Sequence, residues 1–228
     1  MEFVDPRWKD LYRFGGMTGI IMAIWIVLAV IGFFIWPYKP GFESTQNVFV
    51  LLKNDRLGGL IALDGPNLLA NLLMPILYLA LYGALKRVNE SYALIALVLG
   101  LMGAILIIPA RPIAELVILS DSYASAVTDT ARHQFLLAGD VLLTHFNGVA
   151  WMINILLTSF SGVITSLLML RCKIFSKTTA YLGLFTGVFS LGFMIPIIGT
   201  LLLFLTTITS IFWLCLVGRR LFELAINS

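Results

Sequence analysis

The feature that most constrains the fold of this chain is a set of five long intervals without Asp, Glu, Lys or Arg. A transmembrane helix needs about 20 mainly apolar residues to cross roughly 30 Å of hydrocarbon, and each interval reaches that length. They extend from Phe14 to Tyr38, from Gly65 to Leu85, from Ser91 to Ala110, from Val141 to Leu170 and from Thr178 to Gly218. The intervals therefore predict an integral membrane protein.

The fifth interval contains 41 residues, which is twice the length of one span. Pro196 and Gly199 lie near its middle, and such residues end a helix and permit a tight reversal. We therefore predict a helical hairpin there and six spans in all. The predicted spans cover approximately residues 15–38, 64–86, 91–111, 141–171, 178–195 and 197–218.

The composition favours a single transmembrane domain over residues 1–228, built as an all-α six-helix bundle. Of the 228 residues, 60% are hydrophobic and 12% are charged, which is about half the charged fraction of a soluble domain. The apolar runs are continuous, whereas the strands of a transmembrane β-barrel alternate between apolar and polar residues. The net charge of +3 is small and dispersed, which argues against a nucleic-acid-binding protein.

The basic residues predict the orientation of the spans, because cytoplasmic loops are enriched in Lys and Arg. With six spans both termini share a side, and that side receives ten basic residues against five on the other. Both termini are therefore expected to be cytoplasmic. The ten are Arg7, Lys9, Arg13, Lys86, Arg87, Arg171, Lys173, Lys177, Arg219 and Arg220. The five are Lys39, Lys53, Arg56, Arg111 and Arg132.

The N-terminal segment predicts an interfacial helix ahead of the first span. Asp5 can cap this helix, and Pro6 suits its first position. Trp8, Leu11 and Tyr12 form a face that can rest among the lipid headgroups.

Two outer segments are also predicted to carry structure. Residues 47–52 form a short apolar patch, which we interpret as a connector that lies on the outer surface or dips into it. An extended outer segment, residues 113–140, precedes span four and contains helix-capping clusters at residues 120–122 and 128–129. A helix from Asp129 to Leu170 would be about 63 Å long, so span four is expected to protrude or to break near Gly139.

Span four carries polar residues at steps of three and four, which keeps them on one side of a helix. Because polar side chains are costly against lipid, this stripe must face protein or water. Interhelical hydrogen bonding is the simpler explanation, above all for the inner Thr and Ser residues. The stripe consists of Asp140, Thr144, Asn147, Trp151, Asn154, Thr158, Ser161 and Thr165.

Arg111 stands between Pro109 and Pro112 at the outer end of span three. Each proline lacks the N–H that would bond to a carbonyl four residues earlier, so the carbonyls of Ile105 and Ile108 are expected to be free. Broken helix backbone at membrane depth often marks a binding site in transporters.

Two carboxylates are candidate partners of this arginine: Glu115, one turn later, and Asp64, at the start of span two. A structural alternative is that Arg111 snorkels to the outer headgroups. We estimate depth by counting residues from the cytoplasmic end of each span, at about 1.5 Å per residue. Polar groups of spans two, three and four then lie at a similar depth, near the outer interface. They predict a ligand-binding pocket bounded by Asp64, Asn67, Asn71, Arg111, Glu115, Asn147, Trp151 and Asn154.

The sequence contains no HExxH motif, Walker loop, dinucleotide-binding fingerprint or nucleophile elbow. It has only two histidines, which excludes a three-histidine zinc site. We therefore predict neither a cofactor nor catalytic residues. A mixed metal site stays open as an alternative, with His145 as a ligand together with carboxylates from Asp140, Asp64 or Glu115.

Three segments resemble an uncharacterised family of prokaryotic membrane proteins, designated domain of unknown function 4386. The segments are LYLALYGALKR from Leu77 to Arg87, PIAELVILSDSYASA from Pro112 to Ala126, and LMLRCKIFSKTTAYLG from Leu168 to Gly183. The likeness covers most of the chain from the loop before span two onward. It implies a six-span bundle with an extended outer segment before span four, in a prokaryotic membrane, and it implies no activity and no catalytic residues.

We favour a non-enzymatic protein of the cytoplasmic membrane that binds a small or amphipathic, anionic, lipid-like ligand in the outer pocket, with Arg111 at the anionic group. One alternative is an intramembrane metal-dependent hydrolase that uses His145 and nearby carboxylates. Another is an accessory structural subunit of a membrane complex, for which Gly183 and Gly187 would face a partner subunit. The expected partners are thus the lipid bilayer, such a ligand or lipid, or a membrane subunit, and no nucleic acid.

Overall fold

A computed structural model of the chain describes residues 6–35, 44–193 and 195–227. The described residues form helices and no strand, which confirms the all-α prediction. The ten α-helices are α1 (Lys9–Ile35), α2 (Thr45–Asn54), α3 (Arg56–Ala62), α4 (Gly65–Leu85), α5 (Glu90–Ala110), α6 (Ile113–Ser125), α7 (Asp129–Thr144), α8 (Val149–Arg171), α9 (Lys177–Gly192) and α10 (Gly199–Asn227). Short 3₁₀ turns occur at Pro6–Trp8 and His145–Asn147.

The chain, which the sequence predicts to be a single domain, divides into two compact units. Unit 1 comprises Met1–Val27, Ala70–Ile105 and Asn154–Ser228. Unit 2 comprises Leu28–Leu69 and Leu106–Ile153. Each unit has its own cluster of buried apolar side chains.

Five described stretches of helix are long and apolar enough to cross a membrane. They are Lys9–Gly32, Gly65–Leu85, Glu90–Ser125, Asp129–Arg171 and Leu201–Ile226. The span expected over residues 178–195 corresponds to α9, which has 16 residues and is about 24 Å long. That length is shorter than the roughly 30 Å of hydrocarbon, so the sixth span stays a prediction.

In unit 1, α1 packs closely against α10 through glycines. A side chain at Gly19 would come within 3.0 Å of the Gly218 Cα, and one at Gly16 within 2.8 Å of the Phe222 ring. Successive residues of α1 meet earlier residues of α10, so the two helices are antiparallel. Glycine permits this approach because it has no Cβ.

The N-terminal turn does not form the separate interfacial helix expected from the sequence, because α1 is unbroken from Lys9 to Ile35. Tyr12 is fully buried in the core of unit 1, and Leu11 packs against that core. The Trp8 ring lies 6.0 Å from the Tyr82 ring and 4.0 Å from Lys86 Nζ. Trp8, Leu11 and Tyr12 thus contact protein, while Asp5, the expected cap, lies outside the described residues.

Gly183 and Gly187 of α9 also face inward. An added Cβ at Gly183 would lie 2.2 Å from Ser166 Oγ on α8 and 2.5 Å from Trp213 Nε1 on α10. One at Gly187 would lie 2.7 Å from a Val163 methyl group. This pair of glycines therefore packs α9 inside unit 1 instead of presenting a small-residue face to a partner.

In unit 2, the apolar patch at residues 47–52 is part of a protein core, so its interpretation as an interfacial connector was wrong. Ser44 caps α2 by accepting a hydrogen bond from the Asn47 N–H. Val48, Phe49 and Leu52 then occupy one face of α2 and are buried. They pack with residues of α3, α6 and α7, among them Ala62, Leu63, Ile113, Leu116 and Leu143.

The extended outer segment before span four consists of two helices, α6 and α7. Thr128 caps α7 as predicted, but the cluster at residues 120–122 lies inside α6. The expected break near Gly139 does not occur, because Gly139 lies within α7, where Thr45 and Phe49 approach it too closely for a side chain. The helix is interrupted instead at His145–Asn147.

Candidate functional site

Arg111 lies at the interruption between α5 and α6. Its N–H bonds to the Ile108 carbonyl at 3.2 Å, so that carbonyl is not free, contrary to the sequence prediction. The Ile113 N–H donates to the Arg111 carbonyl at 2.8 Å across Pro112, whose φ of −75° and ψ of 57° are those of an inverse γ-turn. Pro112 thus turns the backbone sharply here, whereas Pro109 lies within α5.

Asp64 lies in the two-residue link between α3 and α4. Its φ of 67° is in the left-handed region, which few residues other than Gly, Asn and Asp adopt readily. The Asp64 N–H bonds to the Ile61 carbonyl, and its own carbonyl accepts the Leu68 N–H at 3.1 Å. The next residue must be small, because a side chain at Gly65 would strike the Leu60 carbonyl oxygen at 2.7 Å.

A third interruption separates α7 from α8. The 3₁₀ turn His145–Asn147 ends at Gly148, whose extended backbone starts α8 in a new direction. The Gly148 N–H bonds to the His145 carbonyl, whereas the Phe146 carbonyl accepts a hydrogen bond from the Arg111 side chain.

The guanidinium of Arg111 connects all three interruptions. Its Nε donates to Asp64 Oδ2 at 2.8 Å. Its Nη1 donates to the carbonyls of Ala110 and Phe146, each at 3.0 Å. One face of the group lies 4.0 Å from the centre of the Trp151 ring, and the Phe146 ring is 5.0 Å away. We call Arg111, Asp64, Phe146 and Trp151 the Arg111 cluster.

The burial of Arg111 excludes snorkelling to the headgroups, because its side chain is only 6% exposed. The Asp64 side chain is 35% exposed and neutralises the arginine while keeping contact with the surface of the unit. A guanidinium carries five N–H donors. Three of them are used by Nε and Nη1, and Nη2 has no acceptor among the described residues.

The other predicted residues of unit 2 take different positions. Asn67 lies beside the cluster, where its amide donates to Asp64 Oδ2 at 3.1 Å. Glu115 is exposed and forms no ion pair with the described residues, so Asp64 is the partner of Arg111. Asn147 is exposed, and Trp151 is half-buried.

Asn71 and Asn154 belong to unit 1. The Asn154 side chain is buried and its amide donates to the Gly103 carbonyl at 2.8 Å. Further along α8, Ser161 donates to the Ala96 carbonyl at 2.6 Å. These bonds tie α8 to α5, as the structural explanation of the polar stripe predicts. Asn71 is half-buried and is engaged in contacts of its own.

The metal alternative lacks a ligand set in the described part of the chain. No three His, Cys, Asp or Glu side chains come together there to hold a metal ion. His145 and Asp140 are both exposed, and the Asp140 carboxylate accepts a hydrogen bond from Thr45.

Phe146 is the member of the cluster that sequence reasoning missed. Its contribution is a backbone carbonyl and a ring face, neither of which stands out in a polar pattern. The one available signal was Gly148, which can interrupt a helix three residues before Trp151.

A second polar link joins α3 to α6. Arg56 and Asp121 form a bidentate pair at 3.1 and 2.8 Å, with side chains about half exposed. The hydrogen bonds to Asp121 raise the pKa of the Arg56 guanidinium above its usual value. This ion pair is exposed to solvent, whereas Arg111 is buried.

No protein-family model matches this chain, and no curated protein or solved structure matches it either.

Proposed function

We propose that the chain is a six-span protein of a prokaryotic cytoplasmic membrane, related to the domain of unknown function 4386, with both termini in the cytoplasm. The antiparallel contact of α1 with α10 supports an even number of crossings, because it brings the N-terminal end of one beside the C-terminal end of the other. The ten basic residues named above support the orientation. In this arrangement α9 is the short fifth span.

The same protein binds a small amphipathic ligand that carries an anionic group, and the site is the Arg111 cluster. One observation carries this proposal. Arg111 is buried, and its Nε and Nη1 bond to groups at three helix interruptions, whereas the N–H groups of Nη2 have no acceptor among the described residues. A carboxylate or phosphate oxygen suits those donors, because a charge-assisted hydrogen bond is stronger than a neutral one. The ligand's apolar part packs on the exposed portion of Trp151.

The charge balance of the cluster restricts the ligand further. Asp64 already neutralises Arg111, so a second anion has to compete with this carboxylate for the guanidinium. A ligand with one anionic oxygen group and an apolar chain competes best with Asp64, because burial of the apolar chain offsets the repulsion between the two anions.

Thermal unfolding of the purified chain in a neutral detergent tests the proposal, with dodecyl phosphate as the probe. Binding to the folded state raises Tm in a saturable way. We expect a shift with dodecyl phosphate and none with dodecyltrimethylammonium. Arg111→Lys should remove the shift, whereas Arg132→Lys, which changes an exposed arginine of unit 2, should leave it unchanged.

Asp64→Asn supplies a variant that leaves Arg111 in place. Removing the competing carboxylate should tighten dodecyl phosphate binding on the order of tenfold. An equal Tm shift in the wild type, Arg111→Lys and Asp64→Asn would show that the cluster is a structural element only.

Neither alternative function gains a supporting observation. The metal-dependent hydrolase needs ligands that the described residues do not bring together. The accessory subunit was expected to turn Gly183 and Gly187 outward, and both pack inside unit 1.

A further inference from the structure

One end of unit 1 carries a group of exposed basic side chains on a rigid support. Contacts place several helix ends there together. Trp8 at the start of α1 packs on Lys86 just after α4, and Arg220 of α10 donates to the Ile174 carbonyl in the link between α8 and α9. This end of the unit therefore includes Lys86, Arg220 and the α8–α9 link.

The α8–α9 link, residues 171–177, contains both exposed and buried positions. Arg171, Lys173 and Lys177 are exposed, while Ile174 and Phe175 are buried in the core of unit 1. The buried side chains fix the backbone, and Ser176 caps α9 by accepting the Thr179 N–H at 3.1 Å. The basic groups are therefore presented from an ordered loop.

Arg171 and Lys177, at the two ends of the link, form no ion pair with the described residues. The link itself, with the sequence RCKIFSK, contains no Asp or Glu. Glu223, which Arg220 brings close, is already engaged by Arg219 and Arg220 at 3.0 and 2.9 Å. Arg171 and Lys177 therefore keep their positive charge at the two ends of the link.

The setting of the link is that of a membrane interface. Tyr181, one turn after Lys177, is 51% exposed, and Tyr92 near the start of α5 is 52% exposed. Half-exposed tyrosines mark the headgroup level of membrane proteins, because the ring is apolar and the hydroxyl is polar. Headgroup phosphates are found at the same level.

We propose that the α8–α9 link binds the headgroups of anionic phospholipids. Arg171 and Lys177 contact the phosphates at the two ends of the link. Basic residues at a membrane surface attract anionic lipids, and the attraction declines over a Debye length, so binding depends on salt. This site is separate from the Arg111 cluster and does not depend on the ligand proposed there.

Native mass spectrometry of the full chain in a neutral detergent tests the assignment, with phosphatidylglycerol, phosphatidylcholine and inorganic phosphate as probes. We expect phosphatidylglycerol to stay bound and phosphatidylcholine to be lost. Each basic residue contributes about fivefold to such binding, so Arg171→Gln combined with Lys177→Gln should weaken it about 25-fold. The matched control, Lys53→Gln combined with Arg132→Gln, removes two exposed charges from unit 2 and should change nothing.

Three outcomes would overturn the proposal. The first is equal retention of the two phospholipids by the wild type. The second is unchanged phosphatidylglycerol binding in the Arg171 and Lys177 double variant when circular dichroism confirms that it is folded. The third is full displacement by millimolar inorganic phosphate, which would make the link a site for free phosphate instead of a lipid surface.

Discussion

Arg111 Nε lies 2.8 Å from Asp64 Oδ2, and this ion pair joins two links between helices that are 47 residues apart in sequence. The arginine is buried, and the aspartate has a positive φ. Asp64 lies in a left-handed turn, and Arg111 lies between two prolines. The pair therefore determines how the interruptions of unit 2 meet.

Asp64→Asn should destabilise the chain by about 1–3 kcal/mol, because it weakens a hydrogen bond to a buried charge. Asp121→Asn removes the same charge from the exposed Arg56 pair and should cost much less, because solvent screens an exposed ion pair. Unfolding by SDS in mixed micelles gives both values. Equal costs for the two variants would contradict the burial of the Arg111 pair.

The energetic coupling of Arg111 and Asp64 can be measured directly. A double-mutant cycle with Arg111→Gln and Asp64→Asn should give an interaction energy of about 1–3 kcal/mol, since the two side chains are in contact. The same cycle with Arg111→Gln and Asp121→Asn should give an interaction energy close to zero. Additivity of the first cycle would mean that the two residues stabilise the chain independently.

Gly183→Ala should cost about 1–3 kcal/mol, because the new methyl group meets Ser166 Oγ and Trp213 Nε1 in a packed interface. Gly162→Ala is the matched control: nothing lies within 4 Å of its added Cβ, and alanine favours a helix by up to about 1 kcal/mol. The two variants should thus shift Tm in opposite directions. A stabilising Gly183→Ala would contradict the inward position of this glycine.

Thr128→Ala should cost about 1 kcal/mol, because the Thr128 hydroxyl accepts the Ala131 N–H at the start of α7. Thr130→Ala lies two residues later in the same turn, is exposed, and should be neutral or slightly stabilising. Tm measurements of the two variants compare the cap with its neighbour. Equal losses would show that the hydroxyl at Thr128 is not a cap.

The proposed crossing of α9 predicts that its two ends face opposite sides of the membrane. In a chain carrying Cys172→Ser and Cys215→Ser, Ile197→Cys should react with an impermeant maleimide added outside intact cells. Ser176→Cys should react only after the cells are opened. Ile197 is a suitable position because it is fully exposed. Equal labelling of both positions from outside would leave α9 on one side and reduce the number of spans to five.

Five of the six predicted spans correspond to described helices that are long and apolar enough to cross a membrane, because absence of charge over 20 residues has one main physical explanation. The sequence predicted the start of α9 to within one residue and its end three residues too late, because the helix ends at Gly192, before Pro196. The apolar patch at residues 47–52 was assigned to the membrane surface, although it packs in a protein core. An amphipathic segment suits a bilayer surface and a protein core equally, and only tertiary contacts distinguish the two.

The candidate site was predicted in part. The unusual proline pair identified Arg111, and Asp64 was one of two carboxylates that could reach it. The choice between Asp64 and Glu115 depends on the turn at residues 63–64, which a helical count cannot supply. Asn154 illustrates the opposite case, because its position in the polar stripe looked functional, whereas its buried amide donates to the Gly103 carbonyl and ties α8 to α5.

Solid-state NMR tests the central proposal most directly, by measuring ³¹P–¹⁵N dipolar dephasing between dodecyl phosphate and chain labelled with ¹⁵N in the arginine guanidinium groups. If Nη2 of Arg111 binds the phosphate, the phosphorus should lie roughly 4 Å from a guanidinium nitrogen, and the dephasing should disappear in Arg111→Lys. Dephasing that persists unchanged in Arg111→Lys, or that is absent in the wild type, would contradict a ligand site at the Arg111 cluster.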